Sequence, residues 1–464
     1  MRRRVLVHSL EGWVDPAVVF TALFADADHA IWLDSGTTAT TGMSYLAASE
    51  RWLTSSVARG TVTEHPGGDE RHATIVDALS ADLADRAPTH PDEGAFQLGW
   101  VGWLGYELHA QTMGTGLARQ SQHPDAALAW VDRAIAFDHA AGTMRLLALG
   151  KAWAGELGQW RDAMLASLRR IESGPARVEQ SRRPSTARGA ATSIEWADSD
   201  EEYVAKVRAC QEAIRDGDAY QLCLTTRVSV TGSWDPAELY LDLRQTSPTH
   251  HGAYLRFGDV CVLSATPEQF LSITPDGVIE TKPIKGTRPR GGNTTEDARL
   301  RAELLDSDKE RAENLMIVDL MRNDLGRVCK VGSVTVPSLL AVESYAHVHQ
   351  LVSTVRGQLA EGVTVTDAVA ACFPAGSMTG APKLSAVTIL DSLERRARGI
   401  YSGAFGYFSV DGRVDLAMVI RSIVIEPDGA TIGAGGGITA LSVPEEELAE
   451  AKLKAAALLK ILAG

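Results

Sequence analysis

Thr281-Lys282-Pro283-Ile284-Lys285-Gly286-Thr287-Arg288-Pro289-Arg290-Gly291 packs four cations into nine residues, between prolines and glycines that forbid a regular helix. The stretch reads as a loop. Such a loop can hold one lysine amine among other positive charges. That lowers the amine's pKa from about 10.4 and frees its lone pair for attack. As a bare pattern the same residues make a basic surface turn, and the rest of the chain has to decide between the two.

The chain has 464 residues, which at roughly 150 per domain allows about three domains. Hydrophobic residues make up 45% and charged residues 22%, enough apolar material for a large core. The formal net charge is −14, opposite to the basic footprint of a non-specific nucleic-acid binder. A basic pocket on an acidic protein suits a small anionic substrate. Cys210, Cys223, Cys261, Cys329 and Cys372 are widely spaced and form no CxxC. Neither a disulfide framework nor a zinc site is expected, and a reducing cytoplasm fits. The start, Met1-Arg2-Arg3-Arg4-Val5-Leu6-Val7-His8, lacks the apolar run of a signal peptide. No segment reaches the ~18 apolar residues of a membrane span.

Composition shifts between residues 173 and 198, where Ser173-Gly174-Pro175 and Ser181-Arg182-Arg183-Pro184-Ser185 leave few large apolar side chains. This reads as a linker between an N-terminal region, 1–172, and a longer region, 199–464. Ala30–Leu33, Ala219–Val230, Val260–Leu263 and Val278–Thr281 read as strands. Ser307 to Met321 reads as a helix with Ala312, Leu315, Met316 and Leu320 on its apolar face. Ser442-Val443-Pro444-Glu445 matches a capping box, followed by a stripe of Leu448, Ala451, Ala455, Leu458 and Leu462. Strands and helices mix without a βαβ rhythm. The expected class is α/β (α+β), a sheet sandwich with helices packed outside.

Glu310 and Glu313, and again Glu447 and Glu450, sit at i, i+3, which places each pair on one helix face. Four carboxylates on two facing helices could hold Mg²⁺, a cation that wants oxygen ligands and keeps several waters. A solvated acidic face is the plain alternative for either pair. Lys454, four residues beyond Glu450, could reach an anion beside such a metal. Gly433-Ala434-Gly435-Gly436-Gly437-Ile438 is either a mobile turn or bare backbone offered to an anion. Ser377-Met378-Thr379-Gly380-Ala381-Pro382-Lys383 is either a helix-entry turn or an anion loop. Arg421 closes an apolar run and needs a partner, either a structural carboxylate or a bound one.

Together these motifs resemble the chorismate-utilising enzymes, which include anthranilate, aminodeoxychorismate, isochorismate and salicylate synthases. The resemblance is carried by Ser264–Phe270, Lys282–Gly291, Glu313–Asp324, Ser377–Lys383, Tyr401-Ser402-Gly403, Arg421, Gly435–Ile438 and Pro444–Lys454. Gly99–Glu107 and Trp32-Leu33-Asp34-Ser35 match more weakly; the latter resembles a segment that binds tryptophan in some members, at Ser35. The resemblance implies an anthranilate synthase component I-like fold and dependence on Mg²⁺. In the members that add water, a lysine base stands where this chain has Gln221. Glutamine cannot accept that proton, so the chain looks like a user of ammonia. Lys285 marks the aminodeoxychorismate branch, whereas anthranilate synthases carry a small residue there. Gln350 stands where anthranilate synthases have a histidine linked to pyruvate loss, with His349 one place earlier.

Carried over, the resemblance makes Lys285 the nucleophile and Glu268 the general acid. Glu313 and Glu450 would bind Mg²⁺ directly, and Glu310 and Glu447 mostly through water. Gln221, Thr287, Thr379, Gly380, Tyr401, Arg421, Gly435, Gly436, Gly437 and Lys454 would surround chorismate. No amidotransferase nucleophile motif is present, so ammonia is expected from a separate glutamine amidotransferase subunit. The product would feed para-aminobenzoate and folate, or a specialised metabolite. An anthranilate synthase feeding tryptophan is the alternative that Lys285 argues against.

Overall fold

The computed structural model describes residues 4–86, 95–173, 191–345 and 348–463. Alternation along the strands decides the layers. In strand Ala30–Asp34, Ile31 turns to one side and Trp32 to the other, the period of a pleated strand. Ile31 joins a core that also holds Leu255, Val262, Trp103 and Phe405, drawn from two sheets. Trp32 joins a second core with Phe20, Tyr240, Leu458 and Leu462, which come from helices. The result is the expected sandwich: two 12-stranded sheets face each other and helices cover the outside. No helix among the described residues is long and apolar enough to cross a membrane.

Both sheets draw strands from both sides of the expected linker. Ala30–Asp34 pairs with His251–Phe257, and Gly99–Leu104 pairs with Ala404–Ser409, each antiparallel. Regions 1–172 and 199–464 therefore do not build separate sheets. Within the linker span, Ser173 ends helix Glu156–Ser173, and residues 174–190 lie outside the described residues. Ser193–Trp196 is not linker but a strand paired with Val228–Thr231. It is an edge strand with three exposed residues of four, so its composition imitates a loop.

One helix departs from its expected face and another from its expected cap. Helix Asp308–Gly326 buries Glu313, Asn314, Ile317, Val318, Met321 and Asp324, while Ala312 and Leu315 are exposed. Polar partners turn it. Asn314 donates to the Leu351 carbonyl at 3.4 Å and accepts from Ser353 at 2.5 Å, and Asp324 pairs with Lys383 at 2.6 Å. In the last helix, Pro444–Ala463, the stripe Ala451, Ala455, Leu458 and Leu462 is buried as expected. Its capping box is not formed. The Ser442 hydroxyl donates to Glu447 at 2.7 Å, and Glu445 pairs with Arg208 at 3.0 Å.

One buried ion pair fastens the region after Gly99 to the sheet that carries the cavity described below. Arg398 grips Glu394 with two hydrogen bonds of 2.9 and 2.7 Å and donates to the carbonyls of Met378 and Cys223. Its guanidinium lies 4.3 Å from the Tyr106 ring centre, and Glu107 accepts the Arg398 and Gly399 amides. Removing one member of such a pair strands the other charge in the interior. Arg398→Met is expected to cost about 3–5 kcal/mol, read as a lower denaturant midpoint. A midpoint matching the wild type would contradict this.

Candidate active site

The basic stretch is a strand, not a loop. Ile284–Pro289 pairs with Val348–Gln358, and its register slips between Ile284 and Thr287. Lys285 and Gly286 together stand opposite the single residue Leu351. This is a bulge, which re-aims a side chain at the cost of one ladder bond. Gly286 holds φ at +80°, and a Cβ there would stand 2.9 Å from the Glu310 carboxylate. Glycine is what lets the bulge fit under the helix, and the bulge puts Lys285 into a cavity of about 970 Å³.

Of the cations expected around Lys285, Lys282 and Arg290 do not line the cavity, and Arg288, which does, is held by carboxylates of its own. Lys282 pairs with Glu280 at 3.4 Å, Arg288 with Glu303 at 3.0 Å and Arg290 with Asp297 at 2.7 Å. A strand alternates its side chains, so neighbours in sequence separate in space. Lys285 instead faces carboxylates. Burial alone would lower its pKa, but Glu313, the Cys223 thiol, Glu268 and Glu450 together raise it above the usual lysine value. The expected lowered pKa is corrected: the amine rests as ammonium. Its accessible surface is partial because the cavity reaches it, while the surrounding atoms screen it as an interior does.

Glu268 lies on the same cavity and is only 7% exposed. Burial pushes its pKa up against the opposing pull of Lys285 and a hydrogen bond to Ser377. A carboxyl held in its neutral form can donate a proton. Glu313 is also buried and also raised by burial, with Lys285 and Lys309 opposing. Burial would raise Glu450 too, but Lys454, 2.6 Å away, Lys309 and Lys285 hold it below the usual carboxylate range.

The glycine run is neither turn nor loop. Gly433 to Gly437 lie inside strand Gly429–Ile438, paired with Gln221–Thr231. A Cβ on Gly436 would come within 3.1 Å of Glu447 Oε2, 3.9 Å of Lys454 Nζ and 4.0 Å of Glu450 Oε1. One on Gly437 would stand 3.6 Å from Glu313 Oε2 and collide with the Gln221 amide. The missing side chains thus leave a floor over which three carboxylates converge. These are hard oxygen donors, the set that suits Mg²⁺. Among the described residues no three acidic, histidine or cysteine groups are close enough to ligate one ion together. Lys309, 3.3 Å from Glu447, and Lys454, 2.6 Å from Glu450, pair with two of the three carboxylates. The floor fits a cation that keeps much of its water. Glu310 sits aside, 3.6 Å from Arg288.

Arg421 lines the cavity with φ at +50°, a conformation rare outside glycine. Its guanidinium forms no ion pair with the described residues, so the structural-carboxylate reading fails. Thr287, Tyr401, Gly435, Gly436, Gly437 and Lys454 line the same cavity, and Lys454 donates to the Gly435 carbonyl at 2.7 Å. Thr379 and Gly380 do not. The Thr379 hydroxyl turns back to the Ala375 and Gly376 carbonyls, and Gly380 pairs with Leu222 in the sheet. Ser377 and Met378 take their place. Gln221 lies beneath Gly437, 1% exposed, with its Oε1 unpartnered. Ser35 reaches the far end of the cavity, but its hydroxyl donates to the Met43 carbonyl at 2.8 Å. Lys309 was missed in the sequence, and Ser377 was read only as the start of a possible anion loop. The only signal for Lys309 was its place four residues before Glu313 on one helix face.

A family model described as chorismate binding enzyme matches residues 28–460. The chain is 44% identical, over 97% of its length, to an aminodeoxychorismate synthase of Streptomyces pristinaespiralis. It is 42% identical, over 99% of its length, to one of Streptomyces griseus. It spans 64% of the length of each of these two relatives. Among solved structures, anthranilate synthase component I of Streptococcus pneumoniae superposes with a TM-score of 0.77 at 27% identity, covering 96% of this chain and 97% of that one.

Filling the glycine floor should disable the cavity and spare the fold. Gly436→Val places methyls against Glu447 and Lys454, and we expect chorismate affinity to fall by about tenfold or more. Equilibrium binding beside a thermal melt checks it; unchanged affinity would mean that the floor is not occupied.

Proposed function

The chain belongs to the chorismate binding enzymes, and from that premise we propose that it replaces the C4 hydroxyl of chorismate with ammonia, giving 4-amino-4-deoxychorismate. The observation that carries this reading is Lys285 on its glycine bulge, sharing a cavity with Glu268 and with Gln221 beneath the floor. A lysine so placed can serve as a temporary nucleophile. A glutamine under the floor cannot deprotonate water, which disfavours the water-adding reaction of other members.

The steps balance as follows. Lys285 first passes its proton to a neighbouring carboxylate. Its amine attacks ring carbon C2 while both conjugated ring double bonds shift and the C4–O bond breaks. Neutral Glu268 gives its proton to the departing hydroxyl, which leaves as water. Ammonia then attacks C4, both double bonds return to their original places and the C2–N bond to Lys285 breaks. Covalent capture splits one difficult substitution into two easier ones. Arg421 and Lys454 would hold the substrate's carboxylates, with Tyr401 and Thr287 bounding the ring. Glu313 and Glu450, supported by Glu447 and Glu310, would hold Mg²⁺. The metal would neutralise carboxylate charge and fix the substrate's position.

The ammonia would come from a glutamine amidotransferase partner, and the product would serve para-aminobenzoate and folate synthesis in the cytoplasm. The end of the cavity at Ser35 would take tryptophan. The direct test is the product formed from chorismate, Mg²⁺ and an ammonium salt, identified by mass and by a lyase-coupled assay. The account expects 4-amino-4-deoxychorismate, and no turnover after chelation of the metal. Anthranilate or isochorismate as the main product would overturn it.

A further inference from the structure

Behind the Tyr401 wall lies a second, smaller cavity of about 150 Å³. Tyr401 and Gly433 line both spaces, so one ring separates them. The smaller one is bordered by Arg227, Arg396, Arg398 and His123. Counting charges there leaves a surplus. Arg398 is neutralised by Glu394, and His123 lies 3.0 Å from Glu426. Arg396 shares Asp198 with Lys206, two cations for one carboxylate, at 2.8 and 2.5 Å. Arg227 has no ion pair among the described residues, and its Nε is buried without a hydrogen-bond partner. Burial and the nearby Arg396 both push the ionisation of Arg227 down, with Glu426 only partly opposing.

A half-buried guanidinium with no ion pair among the described residues and an unpartnered Nε is costly on a chain of net charge −14, where carboxylates are plentiful. Its position is fixed. Arg227 stands opposite Gly433 in the paired strands, and the Tyr401 ring packs over that glycine. The strand therefore holds Arg227 beside the shared wall.

We propose that this cavity is a second anion site, which takes a small oxyanion, a carboxylate or a phosphate, on Arg227 and Arg396. Guanidinium groups grip both kinds of oxyanion through paired N–H donors. The space is a fraction of the chorismate-sized cavity beside it, about 150 Å³ against about 970 Å³, which suits a small acid. Apart from the Tyr401 wall that the two cavities share, this site uses none of the chorismate-binding groups and does not depend on which product the enzyme makes.

Calorimetric titrations at constant ionic strength, one with inorganic phosphate and one with malonate, test it and distinguish the two sources. Saturable binding by either probe is expected in the wild type and in Arg421→Gln. In Arg227→Gln it should weaken by about tenfold or more. A variant-free measurement stands beside it. Phenylglyoxal modification of Arg227, read by peptide mapping of the wild-type protein, should be slowed saturably by the probe that binds. Binding that survives Arg227→Gln but is lost in Arg421→Gln would overturn the proposal. So would the absence of saturable binding, or an Arg227 modification rate indifferent to both probes.

Discussion

A lysine ammonium held in a buried cavity needs carboxylates around it, and this constraint organises the site. Taking a charge out of water costs several kcal/mol unless opposite charge is supplied. Lys285 is supplied by Glu313 on helix Asp308–Gly326 and Glu450 on the last helix, with Glu268 beside them at a strand end. Each of these must reach the same small volume. The bulge at Lys285–Gly286 turns the lysine inward, and the glycine strand clears the floor beneath. Take away the glycines and the carboxylates have no shared space. Take away the carboxylates and the lysine has no reason to stay.

The same constraint explains why helix Asp308–Gly326 turns a polar face inward. Glu313, Asn314 and Asp324 are buried, each facing a cation or a hydrogen-bond partner. A hydropathy pattern cannot see those partners, because they lie on strands and helices distant in sequence. Reading Ala312 and Leu315 as core followed the helical period correctly but chose the wrong face. The last helix was read better. Its stripe is alanine and leucine throughout, and only Glu447 intrudes.

Local composition misled wherever backbone pairing overrode it. Prolines and glycines at 281–291 signal a loop, yet Ile284–Pro289 sits at a sheet edge where proline costs no ladder bond. The glycines at 433–437 signal a turn, yet they lie in the interior of a strand because side chains would collide with neighbours on both faces. The sandwich itself was legible, since the absence of a βαβ rhythm along the chain needs no distant information. What could not be read was that the two regions interleave in both sheets. That depends on pairing between segments over 200 residues apart, such as Leu33 with Ala253. Charge reading failed for a related reason. Lys282, Arg288 and Arg290 are close to Lys285 in sequence, but each has its own carboxylate.

Whether Lys285 attacks the ring or only supplies charge is decided by the intact mass of the wild-type chain incubated with chorismate, Mg²⁺ and a reagent that traps a ring adduct, followed by peptide mapping. A nucleophilic Lys285 gives one adduct per chain, on the peptide bearing Lys285, and none in Lys285→Ala. An adduct on another residue, or a Lys285→Ala variant with full activity, would contradict it.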